Sequence, residues 1–314
     1  MRLIHYLFLF FLCLVGLFML LFASCEHKEL CYDHSHTVDV QVIFDWEKVP
    51  DAHPASVRLY LFPLNGGSAL SYEFTDSRGG KIAVPSGCYR ALCVNSDTHS
   101  ILYRNISRFT DFEAYTVDDV LKVRSSSAPC AEGTEEQRIA RSPERFWCAR
   151  TDEVCVEESG KHLTFYMEEA TVRYRVRINH VNNLKYIESD GISGALSGMS
   201  GSLFIGQGTP SSEVVNVPFE IACKDSAALT AEFFGFGCPP LSDKPHKLVV
   251  YVLLADGNKC YYTYEVTSQI HEAENPRDVL ITVDSLRLPK PITNGGGFHP
   301  DVDEWRNEEI EISM

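Results

Sequence analysis

The groups able to do chemistry in this chain are cysteine, histidine and carboxylate side chains: 11 Cys, 11 His and 43 Asp plus Glu among 314 residues. Catalysis needs them at fixed spacings, and the common spacings are missing. His271-Glu272 is followed by Ala-Glu-Asn, so the second histidine of a helical H-E-x-x-H zinc motif is absent. The Gly/Ser run 191–202 never centres a serine in G-x-S-x-G. No P-loop or dinucleotide glycine fingerprint occurs. Asp301 and Asp303 begin an EF-hand-like alternation that fails at Trp305. His27, Cys31, Asp33, His34 and His36 are all metal-ligating types, yet their spacing matches no structural zinc pattern and reads as a solvated linker. The expectation is a non-enzyme with no catalytic residue, no metal and no cofactor.

One cysteine stands apart. Residues 6–23 (YLFLFFLCLVGLFMLLFA) form an unbroken apolar run behind Arg2 and His5, and the run ends in Phe22-Ala23-Ser24-Cys25. Small residues followed by cysteine resemble a bacterial lipobox, in which the thiol is acylated and the chain is cut just before it. Residues 1–24 then read as a lipoprotein signal peptide, Cys25 as the lipidation site and 25–36 as a tether. The alternative is a plain transmembrane anchor. Several acyl chains hold firmly, because each buried CH₂ contributes ~0.8 kcal/mol while one chain alone is marginal.

The remaining cysteines give a weaker signal. Nine of the 11 are left once Cys13 and Cys25 are set aside, an odd number, and no C-x-x-C occurs. Cys88 and Cys93 fall in one strand on opposite faces, so they do not bridge each other. Cys148 and Cys155 flank an acidic loop and are a pair that export permits. The rest read as small buried hydrophobes. The formal charge of −15 argues against nucleic acid, whose phosphates require clustered Lys and Arg.

The body must supply the scaffold. Hydrophobic residues make up 45% and charged residues 23%, which excludes wholesale disorder. From Thr37 the chain alternates with period two: 37–45, 56–63, a short strand at Tyr72 and Phe74, 81–85 and 88–95. Residues 118–160 break the pattern and read as a long polar excursion, with Ser142-Pro143 starting a short helical turn. Strand character returns at 162–181, where Arg173, Arg175 and Arg177 mark a solvent face. Further strands are expected at 214–223, 229–237, 246–256, 259–267 and 278–286. The run 191–208 reads as a helical turn and then a strand. Asp256-Gly257 is a hairpin signal.

The fold class is therefore all-β, with two tandem antiparallel β-sandwich domains at 37–168 and 169–290. Pro and Gly detach a tail, 291–314, in which Ile310, Ile312 and Met314 alternate with polar residues. That tail reads either as an edge strand able to pair in cis or with another molecule, or as a frayed acidic end.

The lipobox, FDWEKVPDAHPASVRLYLFP (44–63), YEFTD (72–76), IAVPSGCYRALCVNSDT (82–98) and ILYRN (101–105) together resemble the fimbrillin-like lipoproteins of Bacteroidales, particularly their fimbrial anchor and accessory subunits. The resemblance is densest over 37–105. It implies two transthyretin-like sandwiches on the outer membrane and a role in fimbrial assembly by strand exchange with stalk subunits. In that assembly a stalk precursor loses its first strand at an Arg, and a neighbour's C-terminal strand fills the groove. An anchor keeps both lipid and first strand. The segment 37–45 carries no Arg or Lys, which suits a retained strand, and Ile310, Ile312 and Met314 become the donor candidates. The competing reading is a surface glycan- or peptide-binding lipoprotein using an exposed aromatic from among Trp46, Trp147 and Trp305.

Overall fold

The alternating segments become strands close to where alternation places them. The computed structural model describes residues 36–157, 161–225, 228–240, 244–290 and 305–307. Its first strands are β1 (Thr37–Asp45), β2 (Val57–Pro63), β3 (Leu70–Phe74), β4 (Gly79–Pro85), β5 (Gly87–Asn95), β6 (Ile101–Arg104), β7 (Glu113–Thr116), β8 (Trp147–Val156) and β9 (Lys161–Tyr166). There follow β10 (Val172–Ile178), β11 (Ile187–Ser200), β12 (Ser202–Phe204), β13 (Val214–Glu220), β14 (Ala222–Asp225), β15 (Ala228–Gly235), β16 (Lys247–Leu254), β17 (Lys259–Glu265), the helix α1 (Thr267–His271) and β18 (Asp278–Val283). Among the described residues no helix is long and apolar enough to cross a membrane.

The N-terminal sandwich packs the sheet β9-β1-β4 against the sheet containing β8-β5-β2-β3. Its core takes Val38, Val40, Val42 and Phe44 from β1, Val57, Leu59 and Leu61 from β2, and Ala91 and Cys93 from β5. The opposite face of the second sheet is also buried. There Tyr60, Phe62, Leu92 and Val94 meet Phe112, Phe146, Leu203 and Ile205. Burial on both faces explains why β2 and the end of β5 read as nearly continuous apolar runs. The covering sheet joins both halves of the chain, since β12 pairs with β7 at Leu203 and Ala114.

The C-terminal sandwich repeats this plan. The sheet containing β13-β11-β16-β17 faces β14-β15-β10-β18. Between them lie Tyr174, Val176, Leu196, Met199, Phe219, Phe233, Val250 and Tyr262. The Phe219 and Phe233 rings stack at 4.2 Å. Most pairings are antiparallel, but β1 with β9 and β10 with β18 are parallel.

Several expectations need correction. The Gly/Ser run is strand β11, not a helical turn. Small residues are needed there because aromatic rings pack onto the strand; a Cβ at Gly194 would stand 2.5 Å from the Phe219 ring. The polar excursion ends earlier than expected, because Trp147–Val156 is a ten-residue strand. Its apolar minority, Leu121, Val123 and Ala131, covers Ala195, Val249 and Tyr251 on the outer face of β11 and β16. Ser142 starts no helical turn. Its hydroxyl donates to the Phe234 carbonyl at 2.9 Å and accepts the Phe234 amide at 3.2 Å, which occupies part of the β15 edge.

The disulfide joins Cys88 to Cys155, which face each other across β5 and β8, not Cys148 to Cys155. Cys148 and Cys155 sit on the same extended strand, too far apart to bridge. Cys148 is a free, buried side chain in the core between the two halves.

Candidate functional site: a locked first strand and the sheet edges

An alternating apolar strand can be a permanent member of a sheet or a removable one, and its neighbours decide which. β1 has partners on both sides. It runs parallel to β9 from Val40↔Lys161 to Asp45↔Tyr166, and antiparallel to β4 from Thr37↔Pro85 to Ile43↔Gly79. Its inward side chains, Val38, Val40, Val42 and Phe44, are at most 4% exposed. Phe44 meets Phe74 edge-on at 5.1 Å. Gly79 makes the close pairing feasible. It adopts φ +113°, and a Cβ there would fall 2.1 Å from the Val42 carbonyl oxygen.

The exit from β1 is fastened as well. The Met167 amide donates to the Asp45 carbonyl at 2.8 Å. Trp46 Nε1 donates to the Ser77 carbonyl at 2.7 Å. Lys48 pairs with Glu168. Nearby, Arg145 grips Glu169 through Nε and Nη2 at 2.7 and 2.8 Å and reaches Asp51 at 2.8 Å. A bidentate guanidinium of this kind fixes direction as well as distance.

An exposed sheet edge offers unpaired N–H and C=O groups to another chain, so its occupants matter. On β18 the Gln269 side chain imitates a strand: its Nε2 donates to the Thr282 carbonyl at 3.1 Å and its Oε1 accepts the Thr282 amide at 2.8 Å. On β4 the Tyr72 hydroxyl donates to the Ala83 carbonyl at 3.1 Å. On β17, Arg306–Asn307 adds in parallel at Cys260 and Tyr261. This part of the tail thus lies on the chain's own sheet. Trp305 Nε1 donates to the Ser127 carbonyl at 2.6 Å, and its ring meets Tyr251 at 5.7 Å.

Carboxylates pin neighbouring strands within sheets. Glu113 on β7 is buried, which by itself raises its pKa. Hydrogen bonds from Arg104 (Nε and Nη2, each 2.6 Å) and from Ser202 outweigh burial and leave the pKa below its ordinary 4.5. Asp278 behaves alike: burial raises its pKa, while Arg173 and Arg175 at 2.8 and 2.7 Å bring it below 3.8. A lowered folded pKa means stability that is complete above the unfolded value and lost as pH falls through the folded one. The melting temperature is therefore expected to hold above about pH 5 and to drop steadily below about pH 4, with a shallower drop in Glu113→Gln. Differential scanning calorimetry across that range checks it.

Of the residues singled out by sequence, Cys25, Ile310, Ile312 and Met314 lie outside the described residues, as do His27, Cys31, Asp33 and His34. Trp147 is only 8% exposed and packs edge-on with Trp46 at 6.2 Å, so it is not an exposed sugar platform. What sequence reading missed is the capping of edges by Gln269, Tyr72 and Ser142. Each is an ordinary polar residue whose role exists only once a distant strand arrives beside it.

The molecule is thus an all-β protein with paired sandwiches and its own first strand in place. The chain belongs to the family described as a domain of unknown function, DUF5119, whose model matches residues 24–220. It is 25% identical over 332 aligned residues to a Bacteroides ovatus protein provisionally named fimbrium anchoring subunit Fim4B, covering 94% of this chain and 96% of that one. A crystal structure from Bacteroides ovatus, provisionally described as an adhesin, matches with a TM-score of 0.64 at 25% identity, over 86% of this chain and 99% of the other. Another provisional adhesin, from Bacteroides thetaiotaomicron, shares the fold at a TM-score of 0.50 and 12% identity, over 80% of this chain and 91% of the other.

Proposed function

We propose that this protein is a fimbrial anchor or accessory subunit. Lipid on Cys25 holds it to the outer membrane, and it joins fimbrial stalk subunits by β-strand addition. The observation that carries the reading is the seating of β1, bonded on both sides with its apolar face buried. A subunit whose own first strand fills that place keeps the chain between lipid and body intact, as an anchor must. Similarity along nearly the whole chain to a protein named as a fimbrium anchoring subunit supports the same reading.

The contact with the stalk is assigned to the tail. Ile310, Ile312 and Met314 alternate with polar residues, so one side of an extended 309–314 segment is apolar and suited to pockets along a neighbour's sheet. The segment just before it, Arg306–Asn307, already pairs as a strand with β17. Deleting residues 308–314, which spares Trp305 and the paired Arg306–Asn307, is expected to abolish co-purification of a stalk subunit from cells while leaving the thermal unfolding of the body within a few degrees of the parent. Undiminished co-purification overturns the assignment of the tail.

A further inference from the structure

We propose a zinc-binding site in the C-terminal sandwich, formed by Cys238, His246 and His271. The three residues come from separate segments: the loop after β15, the residue just before β16, and the last residue of α1. Their donor atoms all lie within 4.8 Å of one another. His246 Nε2 and His271 Nε2 are 3.0 Å apart, with the rings nearly perpendicular at 84°. Two imidazole nitrogens sharing one zinc at ~2.05 Å in tetrahedral geometry stand about 3.3 Å apart. The pair therefore needs to open by only a few tenths of an ångström, with the thiolate closing on the same point. Thiolate with imidazole is a donor set that suits zinc over calcium or magnesium.

The surroundings of His246 are built as a metal-binding histidine requires. Its Nδ1 lies 3.2 Å from the Ser197 carbonyl, which accepts the Nδ1 proton and leaves the Nε2 lone pair directed at His271. That carbonyl is aimed by an irregularity in β11 between Leu196 and Met199. The Ser197 hydroxyl accepts the Lys247 amide at 3.0 Å, and the His246 amide donates to Thr267 Oγ1 at 2.8 Å. Gly198, at φ +79°, leaves room for the ring; a Cβ there would stand 2.7 Å from His246 Nδ1. A mere space-filling histidine needs none of this orientation.

Access and a fourth position are present too. His246 is buried, Cys238 half-buried and His271 exposed. Cys238 and His271 line a cavity of about 440 Å³, where water can complete the tetrahedron. A bound ion ties α1 to β16 and to the loop after β15. Because α1 carries Gln269, it also holds the cap on the β18 edge.

The test is titration of the full-length mature protein, disulfide intact, with Zn²⁺ by calorimetry and with Co²⁺ as the spectroscopic probe. The expected result is one saturable equivalent per chain. The Co²⁺ form should show a thiolate-to-metal charge-transfer band and intense tetrahedral d–d bands. Cys238→Ser should remove the charge-transfer band, and His271→Ala should weaken binding by at least about 10-fold, both with unchanged circular dichroism. Absence of saturable binding overturns the proposal. So does binding that both variants leave intact, which puts the metal elsewhere in the chain.

Discussion

A chain lacking residues 37–45 is expected not to form the N-terminal sandwich at all. The deletion removes Val38, Val40, Val42 and Phe44 from the core, each nearly inaccessible to solvent. At ~1.5–3 kcal/mol per buried side chain, their loss alone amounts to roughly 6–12 kcal/mol. Whole domains of this size are stable by only about 5–15 kcal/mol. The deletion also leaves β4 and β9 facing an empty slot, each with a row of unpaired backbone groups. The predicted product is aggregation-prone and shows no cooperative transition for its first half in calorimetry. A peptide of sequence TVDVQVIFD supplied in trans should restore that transition, because the slot is shaped for it: bare Gly79 lets the Val42–Ile43 backbone approach closely. A truncated chain that melts cooperatively within a few degrees of the parent contradicts the view that β1 is structural.

The second large effect concerns attachment. Cys25→Ala, exported behind a leader that is cut without acylation, is expected to abolish acyl labelling and to shift the protein from the membrane fraction to the soluble fraction. Once residues 1–24, with their apolar run 6–23, have been removed, the acyl chains are the main attraction to a bilayer. The charge of −15 opposes anionic lipid, and the described residues include no helix able to span. Membrane binding then rests on acyl chains at ~0.8 kcal/mol per CH₂. Labelling of metabolically incorporated palmitate, followed by fractionation, reads both outcomes. Persistent labelling in the variant removes the assignment of Cys25.

The strands were legible because alternation is a local property. Val38, Val40, Val42 and Phe44 declare one face of β1 whatever lies above it, and the strand occupies 37–45 as expected. Strands buried on both faces were legible through continuous apolar character, as in HKLVVYVLLAD, where β16 runs through Lys247–Leu254. The Gly/Ser run misled because small residues carry no period. Their reason for being small includes the rings of Phe219 beside Gly194 and His246 beside Gly198, encoded elsewhere in the chain. The Cys88–Cys155 bridge was illegible for a related reason. Its partners are 67 residues apart, and pairing requires the register of β5 against β8. Parallel pairing of β1 with β9 lies equally beyond local pattern. The cluster of Cys238, His246 and His271 escaped a motif scan because its spacing belongs to no compact zinc module; a loop, a strand start and a helix end bring it together.

The most direct measurement is intact-mass and N-terminal analysis of the protein isolated from the membrane fraction of its native cells. The account predicts a chain that begins at an acylated Cys25 and still carries residues 37–45, lipid and first strand together in one molecule. A product that begins beyond Asp45, or that starts at Met1 with an unmodified Cys25, contradicts it.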